Sequence, residues 1–241
     1  MLDSAISYGS RARLGVILPS GNRAAEAQFA RMTPSGVTLH VTRLGLTGTS
    51  EQNLLDMARD VEPAARLLAD VDPALILFHC TAVSTYSLEM ETSVIRRIAA
   101  ASGKPATATS QAIAAALRAL RAKRIVMLSP YPEGIQAKET AFLQACGFEV
   151  VRGASLPCAD VTEMMAVTPE RWLEFALEHQ AQEADAYLLS CTAVRTAEIV
   201  QPLENALHRP VITSNTAAMW HCLRTAGIAD AVAGFGRLFS L

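Results

Sequence analysis

The chain has 241 residues, enough for one large or two small domains, and its 51% hydrophobic and 18% charged residues favour a sizeable core over disorder. A net charge of -2 with pI near 6.2, and no basic stripe, argues against nucleic acid as a partner. No apolar run approaches the roughly 18 residues of a membrane span. The N-terminus has Asp3 early and no apolar core before its basic residues, so no signal peptide is read and a cytoplasmic location is expected.

In chain order, LGVILPS (14–20) reads as a buried strand ended by Pro19. A helix is expected from about Asn22 to Met32, an alternating strand at 37–44, and a helix over 51–70. ALILF (74–78) is a short apolar strand, followed by a helix at 89–102, a strand in KPATATS (104–110) and a helix at 111–122. Such βαβα alternation predicts a parallel sheet covered on both faces.

The pattern then restarts. RIVMLSPYPEG (124–134) repeats RLGVILPSGN (13–22), FEVVRGASL (148–156) repeats the second strand, AYLLSC (186–191) repeats the third and RPVITSN (209–215) the fourth. Cys-Thr-Ala-Val occurs at 80–83 and again at 191–194, and the offset of 111 residues also separates Pro19 from Pro130. Cys80 to Pro105 spans 25 residues and Cys191 to Pro210 spans 19, so the first copy is expected to carry six extra residues around TYSLEME (85–91). The expected organisation is a tail (1–12), a first half (13–121) on which the C-terminal segment could pack back, and a second half (122–241). Each half would be a parallel sheet of about four strands, and the two would be related by a pseudo-twofold.

Ligands of open parallel sheets bind at the carboxyl ends of the strands, where both cysteines fall. Across a pseudo-twofold, Cys80 and Cys191 would face one cleft, one thiol able to act as base or nucleophile and the other as proton donor. A cysteine that opens a helix gains a lowered thiol pKa from the helix N-terminus. The amides of Thr81, Ala82, Thr192 and Ala193 would then be free to hold a carboxylate. The odd count of five cysteines, with no C-x-x-C pair, argues against disulfides and structural zinc. No metal site, nucleotide motif or cofactor is read from the sequence.

These residues resemble the aspartate/glutamate racemase superfamily over about Arg13 to Phe239. Pro19-Ser20-Gly21-Asn22 with Glu26 is similar to a maleate cis–trans isomerase motif, and so is Tyr131 in SPYPEG. AMWHCLRTAG (218–227) and GFGRLF (234–239) resemble the arylmalonate decarboxylase branch. The resemblance implies flavodoxin-like halves with the active site between them, no cofactor, and a small carboxylate substrate. It also implies Cys80 as nucleophile, Cys191 as proton donor, and Asn22 and Tyr131 as carboxylate ligands. In decarboxylases the first cysteine is replaced by glycine; both are present here, which favours an isomerase or racemase. Isomerases carry Asp-Asn where this chain has Asp160-Val161, and His79 replaces a small or apolar residue. A larger, singly charged or cyclic imide-like substrate would suit these departures.

Around this core, Ser20, His79, Ser214 and Asn215 are further candidate site residues. Thr81, Thr192 and Asn22 could equally cap helices, and Asp160 and Glu163 could be plain loop carboxylates. Cys146 and Cys222 read as core residues, and Cys158 as a neighbour of the site. A homo-oligomer, dimer or tetramer, is expected. Alternative readings are an amino-acid or hydantoin racemase, a malonate decarboxylase, and a non-catalytic binder of small molecules.

Overall fold

The computed structural model describes residues 6–46 and 50–241. Residues 1–5, where the expected tail begins, and residues 47–49 lie outside the described residues. The first half runs β1 (Ala12–Pro19), α1 (Ala25–Met32), β2 (Val37–Leu44), α2 (Glu51–Met57), α3 (Val61–Ala69), β3 (Leu75–Phe78), α4 (Thr81–Ser84), α5 (Leu88–Ser102), β4 (Ala106–Ala108) and α6 (Thr109–Ala119). The second runs β5 (Arg124–Ser129), α7 (Glu133–Ala145), β6 (Glu149–Ser155), α8 (Val161–Ala166), α9 (Pro169–Glu178), β7 (Ala186–Leu189), α10 (Val200–Leu207), β8 (Val211–Thr213) and α11 (Ser214–Thr225).

All strand pairs are parallel, in the orders β2-β1-β3-β4 and β6-β5-β7-β8. The second order repeats the first, as the 111-residue offset implies. The fold is therefore α/β, with two similar halves. The central strands LILF, AYLL and most of LGVILP are buried on both faces, which is why they read as continuous apolar runs. Edge strands β2 and β6 are only half-covered and mix polar with apolar positions. Between the halves, α6 and α11 share one core with β1 and β5, including Ile113, Leu117, Ala217 and Leu223. Arg11, in the expected tail, donates both guanidinium nitrogens to Asp230 of the C-terminal segment.

Local chemistry sets the boundaries. Helix α1 starts at Ala25 rather than Asn22, because the Asn22 Oδ1 accepts from the amides of Ala24 and Ala25 and turns the chain first. The expected helix over 51–70 is two helices joined by a 3-10 turn at Ala58–Asp60. Pro63 has no N–H to give the Arg59 carbonyl. Arg97 supplies it instead, donating to the carbonyls of Ala58 and Arg59 (both 2.8 Å) while pairing with Glu62. Strand β4 ends at Ala108, and Thr109 already opens α6. Ser214 and Asn215 likewise begin α11, behind a capping box made by Thr213 and Thr216. The extra length of the first copy sits in α5, of 15 residues against 8 in α10, which Gly103 ends in the left-handed region (φ 66). No helix among the described residues is long and apolar enough to cross a membrane.

Replacing Arg97 by alanine should lower unfolding free energy by about 1–3 kcal/mol, since two carbonyls and a carboxylate lose a charged donor together. Urea unfolding monitored by circular dichroism checks this; an unchanged midpoint would mean that the α2–α3 junction does not depend on Arg97.

Candidate active site

A cavity of about 230 Å³ opens between the halves at the carboxyl ends of the central strands. Pro19, Gly21, Asn22, Cys80, Thr81 and Ala82 line it from the first half, with Leu46 and Leu54. From the second half come Tyr131, Asp160, Val161, Thr162, Met164, Cys191, Thr192 and Ala193. The eight residues read as catalytic or substrate-binding thus meet around one space. Ser20, His79, Ser214 and Asn215 stand outside it. Leu46, Leu54 and Met164 had no signal as site residues, because the apolar pattern marks them only as buried, whereas Val161 stands where the resembled isomerases carry Asn. Among the described residues, no Lys or Arg lines the cavity.

The two cysteine loops are alike in one contact and differ in backbone. Cys80 is extended (φ −144) and precedes the short helix α4. Cys191 has φ 101, a region that residues with a Cβ rarely adopt, and a turn rather than a helix follows it. The expected helix opening therefore holds only at Cys80. In each loop the amide two residues on turns to the sulfur: Ala82, joined by Val83, at Cys80, and Ala193 at Cys191 (3.3 Å). The Ala82 and Ala193 amides are therefore occupied, whereas those of Thr81 and Thr192 have no acceptor among the described residues.

Burial overturns the expected lowering of the thiol pKa. Desolvation pushes Cys80 up to about 12 and Cys191 up to about 11; the Val83 and Ala82 amides at Cys80, and the Tyr131 hydroxyl and Ala193 amide at Cys191, offset only part of it. Both thiols are protonated in the free protein at neutral pH. Tyr131 is buried and held well above its ordinary value, first by desolvation and then by the neighbouring Cys191 and Glu139, so its hydroxyl remains a donor. Desolvation also raises the other cysteines: Cys222 reaches about 12 inside α11, while Cys146 and Cys158 shift in the same direction. Cys158 gives its thiol hydrogen to the Leu156 carbonyl (3.3 Å).

The residues behind the cavity form a polar lock between the halves. The Thr192 carbonyl accepts from Asn22 Nδ2 (3.1 Å) and Asn215 Nδ2 (3.2 Å), and Asn22 also reaches the Thr192 hydroxyl (3.0 Å). Gln28 donates to the Val194 carbonyl (2.7 Å). The Ser214 hydroxyl accepts from Thr81 Oγ1 (2.9 Å) and from the Cys191 amide (3.0 Å), touching both loops at once. Asn22 is saturated by these partners and acts as a clamp on the second loop. Arg43 holds the first loop from outside through the carbonyls of Pro19, Ser20 and Asn22. Asp160 caps α8 through Thr162 and Glu163, and Glu163 accepts from the Ala159 amide. Ser20 accepts from the Leu46 amide at the rim.

His79 is wholly buried on Phe29, with Nε2 2.8 Å from Asn215 Oδ1 and Nδ1 2.9 Å from Thr109 Oγ1. The Asn215 amide nitrogen is committed to Gln28 and Thr192, so its oxygen must accept the Nε2–H. Nδ1 then accepts from the Thr109 hydroxyl. Burial pushes the imidazole down to about 4. It is a neutral strut behind Cys80.

This geometry defines a duplicated α/β protein with one cavity lined by two cysteines at repeat-related positions. The family model described as arylmalonate decarboxylase matches residues 14–239, and the chain belongs to that family. It is an enzyme of the branch that also holds the maleate isomerases. A maleate isomerase of Nocardia farcinica is 27% identical over 94% of both chains. An arylmalonate decarboxylase of Bordetella bronchiseptica is 27% identical over 97% of this chain and 99% of its own. The structure of a cysteine-to-serine variant of the N. farcinica maleate cis-trans isomerase, carrying a covalently bound succinylcysteine intermediate, superposes with a TM-score of 0.89 at 27% identity, covering 95% of this chain and 98% of that one.

His79 should remain neutral, with the proton on Nε2, from pH 8 down to about 5, as read by imidazole nitrogen shifts in NMR. The unfolded chain takes up this proton near 6.5 and the folded one near 4. Stability is therefore intact above pH 6.5 and falls by about 3 kcal/mol as pH drops through that window. A His79 signal that titrates near 6.5 would contradict the assignment.

Proposed function

We propose that this chain is a cofactor-independent isomerase that acts on a small carboxylic acid through two opposed cysteines. The observation that carries the reading is that Cys80 and Cys191, at mirrored positions of a duplicated fold, open on one cavity beside two unoccupied backbone amides and a protonated phenol. The amides of Thr81 and Thr192 and the Tyr131 hydroxyl hold the carboxylate and stabilise the charge that spreads onto it in the transition state.

The apolar wall narrows the substrate. A second carboxylate against Leu54, Val161 and Met164 would lose its hydration without a partner, and Asp160 would repel it. An acid with one carboxylate and an apolar substituent at the reacting carbon fits better than a dicarboxylate. As a thiolate, Cys80 removes the α-proton from one face; the C–H pair passes into an enediolate, and the Cys191 S–H gives its proton to the other face. With an unsaturated acid, Cys80 instead forms an S–C bond while the carbon beside it takes the Cys191 proton. Rotation and reversal then exchange cis for trans. The covalent succinylcysteine of the N. farcinica variant supports this second course.

The same wall favours one further reading, decarboxylation of a substituted malonate with Cys191 protonating the resulting carbanion, in line with the B. bronchiseptica relative. A screen in deuterated water separates the options. Deuterium entering an α-aryl or α-alkyl acid together with loss of optical activity marks racemisation, fumarate formed from maleate marks cis–trans isomerisation, and CO2 released from malonates marks decarboxylation. If none occurs while the acids still bind, the chain is a binder and the proposal fails.

Two further outcomes are expected. Cys80→Ala and Cys191→Ala should each cost on the order of 10²–10⁴-fold in kcat, the usual worth of one acid–base group. Because burial holds Cys80 at about 12, kcat/KM should climb ~10-fold per pH unit from 7 to 9 without a plateau. A plateau below pH 8 would mean that the active thiol is acidic.

A further inference from the structure

The second half buries a carboxyl where the first half has an amide. Gln28 on α1 and Glu139 on α7 are 111 residues apart, as are His79 and Ser190, and Cys80 and Cys191. In the first half, His79 reaches Gln28 through Asn215. In the second, the Ser190 hydroxyl donates directly to Glu139 Oε1 at 2.6 Å, one residue before Cys191. Glu139 is fully buried, and its Oε2 has no hydrogen-bond partner.

Among the described residues, no basic side chain offsets this carboxyl. The groups that face it are the Ser190 and Tyr131 hydroxyls and the Cys191 thiol. Glu149 and Arg152 on β6, the strand packed against α7, are exposed. Lys138, its neighbour on α7, lies over the Tyr86 ring and pairs with Glu51. A buried, half-satisfied carboxyl without a cation costs stability. It also opposes the ionisation of a neighbouring thiol.

Resting on the two-thiol reading of the cleft, we propose that Glu139 is a positioning residue for its Cys191 side: tethered by Ser190, its charge adds to the burial that keeps the Cys191 thiol protonated as the proton donor. Burial pushes the Glu139 carboxyl up to about 7, so this charge appears across the neutral range. The carboxyl raises both Cys191 and Tyr131.

The test is alkylation of the full chain by iodoacetamide from pH 5.5 to 9, with Cys80 and Cys191 quantified in the same digest. Glu139→Gln keeps an acceptor for Ser190 and removes the charge. Relative to wild type, its Cys191 rate should be unchanged at pH 5.5 and about threefold or more higher by pH 8.5, turning near pH 7, while Cys80 changes much less. A Cys191 ratio that is flat with pH, or an equal rise at Cys80, would overturn the proposal. Ser190→Ala keeps the charge but removes the hydrogen bond that favours it, so its excess Cys191 labelling should peak between pH 7 and 8 and fade by pH 9. A Cys191 profile identical to wild type would also overturn it. Alkylation needs no turnover, so the two ideas fail separately. A protein inactive on every acid but with the expected profile loses the isomerase reading and keeps the charge effect. An active isomerase with a flat profile does the reverse.

Discussion

The Thr192 carbonyl is the point on which the site depends. Two amide side chains donate to it, Asn22 from the first half and Asn215 from the start of α11. The donors are buried, so losing either would leave an unpaired polar group where water cannot replace it. This contact fixes the loop that carries Cys191 relative to the one that carries Cys80. Ser214, which takes hydrogen bonds from both loops, does the same from the other side. The pseudo-twofold thus ends in a small set of short polar contacts, although apolar cores supply most of the packing on either side.

Cost is concentrated in the same place. Cys191 is held at φ 101, and its strained backbone persists because its amide is bound by Ser214 and its sulfur by the Ala193 amide. Both thiols are desolvated more strongly than two or three N–H or O–H donors can offset. The site therefore resembles a pair of resting acids. Any thiolate formed there is poorly solvated and strongly basic, which suits removal of a weakly acidic proton next to a carboxylate.

Duplication need not mean equivalence. The same place in each half holds an amide in Gln28 and a carboxyl in Glu139, and the residue before each cysteine is an imidazole in one half and a hydroxyl in the other. A chemistry that draws a proton from one face and returns one to the other needs such a difference between its two sides.

The sequence by itself determined the duplication, the parallel α/β class and the repeat-related places of Cys80 and Cys191. Each follows from local pattern: apolar runs of strand length, and Cys-Thr-Ala-Val repeated at one fixed offset. Asn22 and Tyr131 were marked by the resemblance of their turns to a maleate cis–trans isomerase motif. Only the tertiary structure decided what those residues do. Whether Asn22 faces a ligand or a neighbouring loop depends on a partner 170 residues away. The split of the helix over 51–70 needed Arg97, 35 residues beyond Glu62, to take the carbonyls freed by Pro63. The thiol pKa could not be read from a strand-to-helix turn. The turn reports the nearby N–H donors, whereas the larger effect is desolvation by side chains from both halves, which exists only once the chain has closed on itself.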